Sequence, residues 1–124
     1  MKAILLVAIG GAIGSVLRYA VAILLKSFYS GEFPWHTFTV NIIGCFFIGL
    51  IFSWSLQSVS FENVRLFLMV GILGGFTTYS SFGLETFDMI KHGRLMIACT
   101  YILATNILGL IAVYSGYAIH KLIS

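Results

Sequence analysis

The sequence predicts an all-α membrane protein with four transmembrane helices in each subunit. Of its 124 residues, 60% are hydrophobic and only 9% are charged, whereas about 25% of the residues in a soluble domain are charged. The mean hydropathy is +1.04. A body this small has too little interior to bury so much apolar surface. The bilayer is therefore its solvent, and residues 1–124 are expected to form one domain.

The four helices are predicted from long apolar runs that contain few charged residues. A helix needs about 20 residues to cross the hydrocarbon layer, and the runs place the spans at about residues 3–25, 37–57, 66–90 and 95–119. Lys2 followed by an apolar run also resembles a secretory signal peptide. Because three more spans follow this run, we interpret it as the first helix.

The residues that usually carry chemistry do not form the pattern of an enzyme. Cys45 and Cys99 both fall inside predicted spans, where a free cysteine behaves as a small hydrophobic residue. His36, His92 and His120 lie near predicted helix ends or in loops, and we interpret them as solvated. The sequence shows no nucleophile–base pair and no basic cluster of the kind that binds nucleic acid. It therefore predicts neither an enzyme nor a nucleic-acid-binding protein.

The basic residues at the helix ends give no preferred orientation in the membrane. The two sides carry equal numbers, with Lys2, Arg65 and Lys121 on one side and Lys26, Lys91 and Arg94 on the other. Such a tie arises either by chance in a small count or from dual topology, in which opposite copies of one chain pair. Four short helices enclose little space. We therefore predict an antiparallel dual-topology homodimer.

A charged residue and two glycines share one face of the first helix. Gly10, Gly14 and Arg18 follow each other at intervals of four residues. Glycines in this pattern allow a neighbouring helix to approach closely. Arg18 either extends to the membrane interface, or draws anions towards a vestibule, or binds carbonyls at a helix end.

The second and fourth helices carry further polar residues inside the apolar layer. Thr37 and Asn41 share one face of the second helix, and Tyr101 and Thr105 share one face of the fourth. The Asn41 amide has two N–H donors, which suit either an anion or contacts between helices. Tyr101 is either an interfacial anchor or part of a polar track, and the neighbouring Thr105 favours the track.

The third apolar segment is weakened at its centre by the stretch GGFTTYSSF, residues 74–82. Glycines and β-branched threonines both disfavour a helix, so we predict that the third helix is broken near its middle. Non-helical backbone at this depth persists only where it is buried or lines a wet cavity. The carbonyls freed by such a break can hold a cation such as Na⁺, and the N-terminus of a half-helix favours anions.

Aromatic and acidic residues follow the predicted break. Tyr79 and Phe82 face the same way, and they either pack as ordinary aromatics or present ring edges of partial positive charge to an anion. Ser81, Glu85 and Asp88 share one helical face. Asp88 is expected to meet water, and Glu85, one turn deeper, is either a proton carrier or an acceptor of hydrogen bonds.

Three motifs resemble those of the CrcB/Fluc family of bacterial fluoride channels. They are IGGAIGSVLRY at residues 9–19, TFTVNIIGCF at 37–46 and GILGGFTTYSSFGLE at 71–85. The third is the most specific, and the resemblance extends over nearly the whole chain. It implies a fluoride-selective channel in the bacterial inner membrane that passively exports F⁻ from the cytoplasm and confers fluoride resistance. It also implies an antiparallel dual-topology dimer with two pores.

The resemblance implies roles for individual residues. Arg18 would lie in a vestibule, and the carbonyls of Gly74 and Thr77 would hold Na⁺ at the dimer interface as a structural or activating cofactor. Tyr79 departs from the family, which has Phe there, and its hydroxyl would donate to fluoride or narrow the path. The residues implied to line the fluoride pore are Asn41, Tyr79, Phe82, Tyr101, Thr105, Ser80, Ser81 and Glu85.

Two other functions compete with a fluoride channel. A small dual-topology proton-coupled exporter needs an acidic residue deep in the membrane, and Glu85 is the only candidate. A scaffold subunit without a pore would explain the glycines but not the polar residues spread over three helices. The channel is therefore the preferred interpretation.

Overall fold

The computed structural model describes residues 1–57 and 61–124, and every regular element in these ranges is a helix. Four segments are long and apolar enough to cross a membrane, as the sequence predicts. Along the chain, the elements are α1 (Lys2–Phe28), α2 (Trp35–Ser55), α3 (Glu62–Arg65), a π-helical stretch (Leu66–Leu73), α4 (Gly74–Phe76), α5 (Tyr79–Lys91) and α6 (Leu95–Ile123).

The ends of the helices differ from the predicted limits by a few residues. α1 continues to Phe28 and α6 to Ile123, because a basic residue marks the edge of the apolar layer but does not end a helix. Lys26 and Lys121 lie in the last turns of these helices, where a positive charge is favourable beside the free carbonyls. α2 begins after Pro34.

The third spanning segment, Glu62–Lys91, is interrupted near its middle, as predicted. Thr77 and Thr78 separate α4 from α5 and have extended backbone conformations, with φ/ψ of −82°/159° and −152°/118°. A break at this depth removes helical hydrogen bonds that water would replace at a protein surface. Its polar groups must find other partners, and these partners define the site described below.

Glycines bring the spanning segments into contact in two pairs. A Cβ atom at Gly14 would collide with the Ile72 carbonyl oxygen, so α1 and the third segment touch backbone to backbone. Gly49 and Gly116 bring α2 and α6 equally close, against the carbonyls of Val113 and Phe46. Small residues take this role in membranes because packing, not the exclusion of water, drives helix association there.

Gly14→Ala is expected to destabilise the fold strongly, because its Cβ atom meets backbone that cannot rotate away. Overpacking of this kind costs about 1–3 kcal/mol. The matched control is Gly11→Ala on the same helix, where an added Cβ has no atom within 4 Å among the described residues. Thermal unfolding in detergent measures both variants. Equal melting temperatures for the two would contradict the close contact.

The interior of a single chain is small, and most large apolar side chains point outward. One buried cluster contains Phe82, Met89 and Tyr101, and another contains Ile51 and Leu73. Large apolar residues are exposed along all the spanning segments. Exposure on this scale is explained by lipid as the surrounding solvent.

Candidate functional site

Asn41 on α2 binds both backbone groups of Thr78 at the break in the third segment. Its Nδ2 donates to the Thr78 carbonyl at 3.1 Å, and its Oδ1 accepts from the Thr78 N–H at 2.9 Å. Arg18 on α1 donates from Nη1 to the Thr77 carbonyl at 3.3 Å. Of the alternatives for Arg18, the structure shows the one in which it binds a carbonyl at a helix end. The break is thus held from both sides.

Hydroxyl groups organise the first turn of α5. The Thr78 side chain caps this helix by accepting from the Ser81 N–H at 3.2 Å. Its Oγ1 also donates to Ser81 Oγ at 3.0 Å and lies 3.3 Å from Ser80 Oγ. A capped N-terminus is fixed in direction, and its partial positive charge then lies inside the membrane layer.

A cleft of about 380 Å³, which we call the central cleft, lies beside this N-terminus. It brings together four of the predicted pore residues, Asn41, Tyr79, Phe82 and Thr105. Thr105 Oγ1 is inaccessible to solvent and makes no hydrogen bond to any described part of the chain. A buried hydroxyl without a partner is unfavourable, and this one belongs to a residue that lines the cleft.

Gly74 and Thr77, the predicted Na⁺ ligands, also line the central cleft. In an unbroken helix, the Thr78 N–H would donate to the Gly74 carbonyl. Here it donates to Asn41, so the break releases that carbonyl. The described residues contain no group of three or more Asp, Glu, His and Cys side chains placed to hold a metal.

The aromatic residues near the cleft are buried to very different degrees. Tyr79 is 84% exposed in the single chain, whereas Phe82 is 8% exposed and Tyr101 is fully buried. The ring centroid of Phe82 lies 5.6 Å from that of Tyr79 and 5.0 Å from that of Tyr101. Tyr101 is thus a core residue and does not anchor the chain at the interface.

Glu85 on α5 connects three of the spanning segments through its carboxylate. Oε1 accepts from Thr37 Oγ1 at 2.6 Å and lies 3.2 Å from His36 Nε2. Oε2 accepts from the Tyr101 hydroxyl at 2.8 Å. Hydrogen bonds of this kind to a charged acceptor are about twice as strong as those between neutral groups. We call Glu85, Thr37, His36 and Tyr101 the Glu85 cluster.

Two further clefts, which we call the end clefts, open beside the Glu85 cluster near the loop that joins α1 to α2. One has a volume of about 260 Å³ and is lined by Lys26, Glu32, His36 and Glu85, among others. The other, of about 390 Å³, is also lined by Glu32 and Glu85. Glu85 therefore borders both. Tyr101 contacts both Glu85, which borders the end clefts, and Phe82, which lines the central cleft. These three side chains therefore lie between the end clefts and the central cleft.

The structure distributes the predicted pore residues over three places. The central cleft holds four of them, Ser80 and Ser81 lie at the capped start of α5, and Tyr101 and Glu85 form a buried contact towards the end clefts. His36 and Thr37 were not predicted as site residues, yet both contact Glu85. His36 is 35% exposed, in agreement with its interpretation as a solvated residue, but it also contacts Glu85, which was not predicted. Two adjacent polar residues at the start of an apolar helix are a signal that favours a site.

Known proteins similar to this chain cover nearly all of it. Residues 5–117 match the family model described as CrcB-like protein, Camphor Resistance (CrcB). A relative from Azobacteroides pseudotrichonymphae genomovar. CFP2 is 46% identical over 118 residues, 94% of each chain. A relative from Thermus thermophilus is 44% identical over 117 residues, also 94% of each. One from Helicobacter acinonychis (strain Sheeba) is 44% identical over 116 residues, 92% of this chain and 91% of the relative. All three are named fluoride-specific ion channel FluC.

Proposed function

This chain belongs to the CrcB-like family, and from that membership we propose that it is a fluoride-specific ion channel. It is a multi-pass membrane protein with four spanning segments. The observation that supports conduction most directly is the central cleft, where the N-terminus of a half-helix lies at membrane depth beside Thr105, whose hydroxyl has no hydrogen-bond partner among the described residues. The N-terminus of a helix favours an anion.

The proposed path runs through the central cleft and past the Glu85 cluster. Asn41 uses one of its two amide N–H groups on Thr78 and has a second. Thr105 offers its hydroxyl, and the ring edges of Tyr79, Phe82 and Tyr101 carry partial positive charge. Each of these is a weak donor. Several weak sites in series let an ion both bind and leave.

The driving force requires no coupled reaction. HF crosses membranes as a neutral molecule and dissociates in a less acidic cytosol. The membrane potential, negative inside, then drives F⁻ outward with about 2.3 kcal/mol per charge for each 100 mV. A selective passive channel in the bacterial inner membrane would thus lower cytoplasmic fluoride and confer resistance.

We further propose that two copies pair in antiparallel orientation. In the single chain, Gly74, Tyr79, Ser80 and Asn106 are exposed at the depth of the break, where contact with lipid would be unfavourable for polar groups. A second copy would cover them and complete the central cleft. The equal numbers of basic residues at the two ends of the helices support opposite orientations of the copies.

We also propose that Na⁺ binds between the copies at the carbonyls of Gly74 and Thr77. The donor set fits, because carbonyls of interrupted membrane helices coordinate Na⁺ and the break releases the Gly74 carbonyl. The Thr77 carbonyl accepts from Arg18 but has a second lone pair. The positive charge of the ion would hold the interrupted third segments of the two copies against each other. Arg18 would continue to donate to the Thr77 carbonyl from the side of the vestibule.

Fluoride efflux from liposomes that contain the purified protein tests the function. Under a K⁺ diffusion potential, we expect F⁻ efflux well above that of protein-free liposomes. Chloride-loaded liposomes are the selectivity control. A second arm replaces Na⁺ by N-methylglucamine on both sides, and we expect the flux to fall.

Four results would contradict parts of the proposal. Absence of F⁻ flux, or equal chloride flux, would overturn the fluoride channel. Flux that requires a proton gradient would indicate the proton-coupled exporter instead. Flux unchanged without Na⁺ would remove Na⁺ from the activating role.

A further inference from the structure

His36 lies where the proposed path meets water, and it contacts Glu85, whose carboxylate borders both end clefts. Its Nε2 is 3.2 Å from Glu85 Oε1, and its side chain is 35% exposed. It lines the 260 Å³ end cleft together with Glu85. From Glu85, contact continues through the Tyr101 hydroxyl to the Phe82 ring. His36 is therefore the water-facing end of a connected series of side chains that reaches the central cleft.

Charged and titratable side chains from several elements line the two end clefts. The smaller cleft is lined by Lys26, Tyr29, Glu32, His36 and Glu85, and the other by Glu32, Glu85, Asp88 and Arg94. Tyr101 contacts Glu85, and His92 contacts Asp88. Arg94 pairs with Glu32 at 3.7 Å and with Asp88 at 3.2 Å. The single guanidinium of Arg94 is therefore shared between Glu32 and Asp88.

The balance at these clefts depends on the proton of His36. With His36 and His92 both neutral, the three carboxylates Glu32, Glu85 and Asp88 face two basic side chains, Lys26 and Arg94, so the region is negative and repels an anion. A proton on His36 removes this excess beside Glu85. Histidine is the residue type that changes charge between about pH 5 and 8. One unit of charge at a cleft changes the local concentration of an anion by about threefold to fivefold in low salt.

We propose that His36 belongs to the entrance of the anion pathway and that its protonation increases fluoride flux, an inference that rests on the proposed function. The imidazolium neutralises Glu85 while Thr37 and Tyr101 keep the carboxylate in place. Flux then rises on acidification. A channel with this property conducts best in acid, where HF enters fastest.

Fluoride efflux measured from pH 8 to pH 5.5 in low salt tests the inference, with the HF leak of protein-free liposomes subtracted at each pH. We expect the wild-type flux to rise about threefold on acidification. His36→Gln keeps a donor for Glu85 but has no titratable proton, so its flux stays at the level seen at pH 8. His36→Arg is charged throughout and is expected to give high flux at every pH.

A matched control separates the effect of His36 from that of His92. His92 contacts Asp88 at 3.3 Å in the turn at the same end, and His92→Gln is expected to keep the rise. The rise should shrink in 1 M salt, because the Debye length falls from about 10 Å at 0.1 M to about 3 Å. A wild-type flux independent of pH, or a rise retained in His36→Gln, overturns the inference and leaves the channel intact. Absence of flux at every pH overturns both.

Discussion

Phe82→Ile is expected to reduce fluoride flux about tenfold while the protein remains folded. Phe82 lines the central cleft, and its ring lies between those of Tyr79 and Tyr101. Isoleucine keeps an apolar side chain there but removes the ring edge that would face the proposed anion. A tenfold loss of rate corresponds to about 1.4 kcal/mol in the barrier. Efflux under a K⁺ diffusion potential measures the change.

The matched control is Phe87→Ile on the same half-helix. Phe87 is 62% exposed and points away from the buried cluster, so the substitution should leave the flux close to wild type. Size-exclusion chromatography checks that both variants assemble as the wild type does. Wild-type flux in Phe82→Ile would show that Phe82 does not line the pore. Equal losses of flux in both variants would show that the substitutions act by disturbing the fold.

Asn41→Leu is expected to destabilise the protein strongly and to abolish flux. The substitution leaves the N–H and the C=O of Thr78 without their side-chain partner inside the membrane layer. Each unsatisfied group costs about 1–3 kcal/mol, so the loss of stability is about 2–6 kcal/mol. The capped start of α5 depends on Thr78, so the proposed anion path is distorted as well. Thermal unfolding and efflux measure the two effects.

Asn106→Leu provides the comparison for stability. Asn106 also lines the central cleft, but its Nδ2 donates at 2.7 Å to the carbonyl of Ile102 on its own helix. That carbonyl keeps a helical partner, so the melting temperature should change little. If Asn41→Leu is as stable as Asn106→Leu, Asn41 does not hold the break. Normal stability with loss of flux in Asn41→Leu would leave it a role in conduction alone.

Asn41 therefore has two proposed roles, in holding the break and in binding the anion, and the residue type alone does not distinguish them. An amide at residue 41 suits both an anion and a neighbouring helix, and the sequence left these alternatives open. The structure shows that the amide binds the break with one N–H and with its oxygen. The second N–H is the group available to the proposed anion path.

Much of the fold follows from local pattern. The spans, the close approach at Gly14 and the interruption near Thr77 depend on apolar length, residue size and backbone preference, which neighbours along the chain determine. The Glu85 cluster could not be predicted in this way. Its members come from α2, α5 and α6, and helical periodicity does not specify how three helices rotate against one another.

Composition and local pattern are enough to predict that the bilayer is the solvent, that four segments cross it and that the third is interrupted. These properties depend on how much apolar surface the chain carries and where helix-weakening residues lie. The pairing of the polar groups depends instead on how the helices are arranged in space. The partners of Thr78 and Glu85 are far away in the sequence, and the energy of a buried polar group depends on a partner within about 3 Å. The interpretation of His36 changed most for this reason, because the sequence places it only at a helix end and the structure shows that it contacts Glu85.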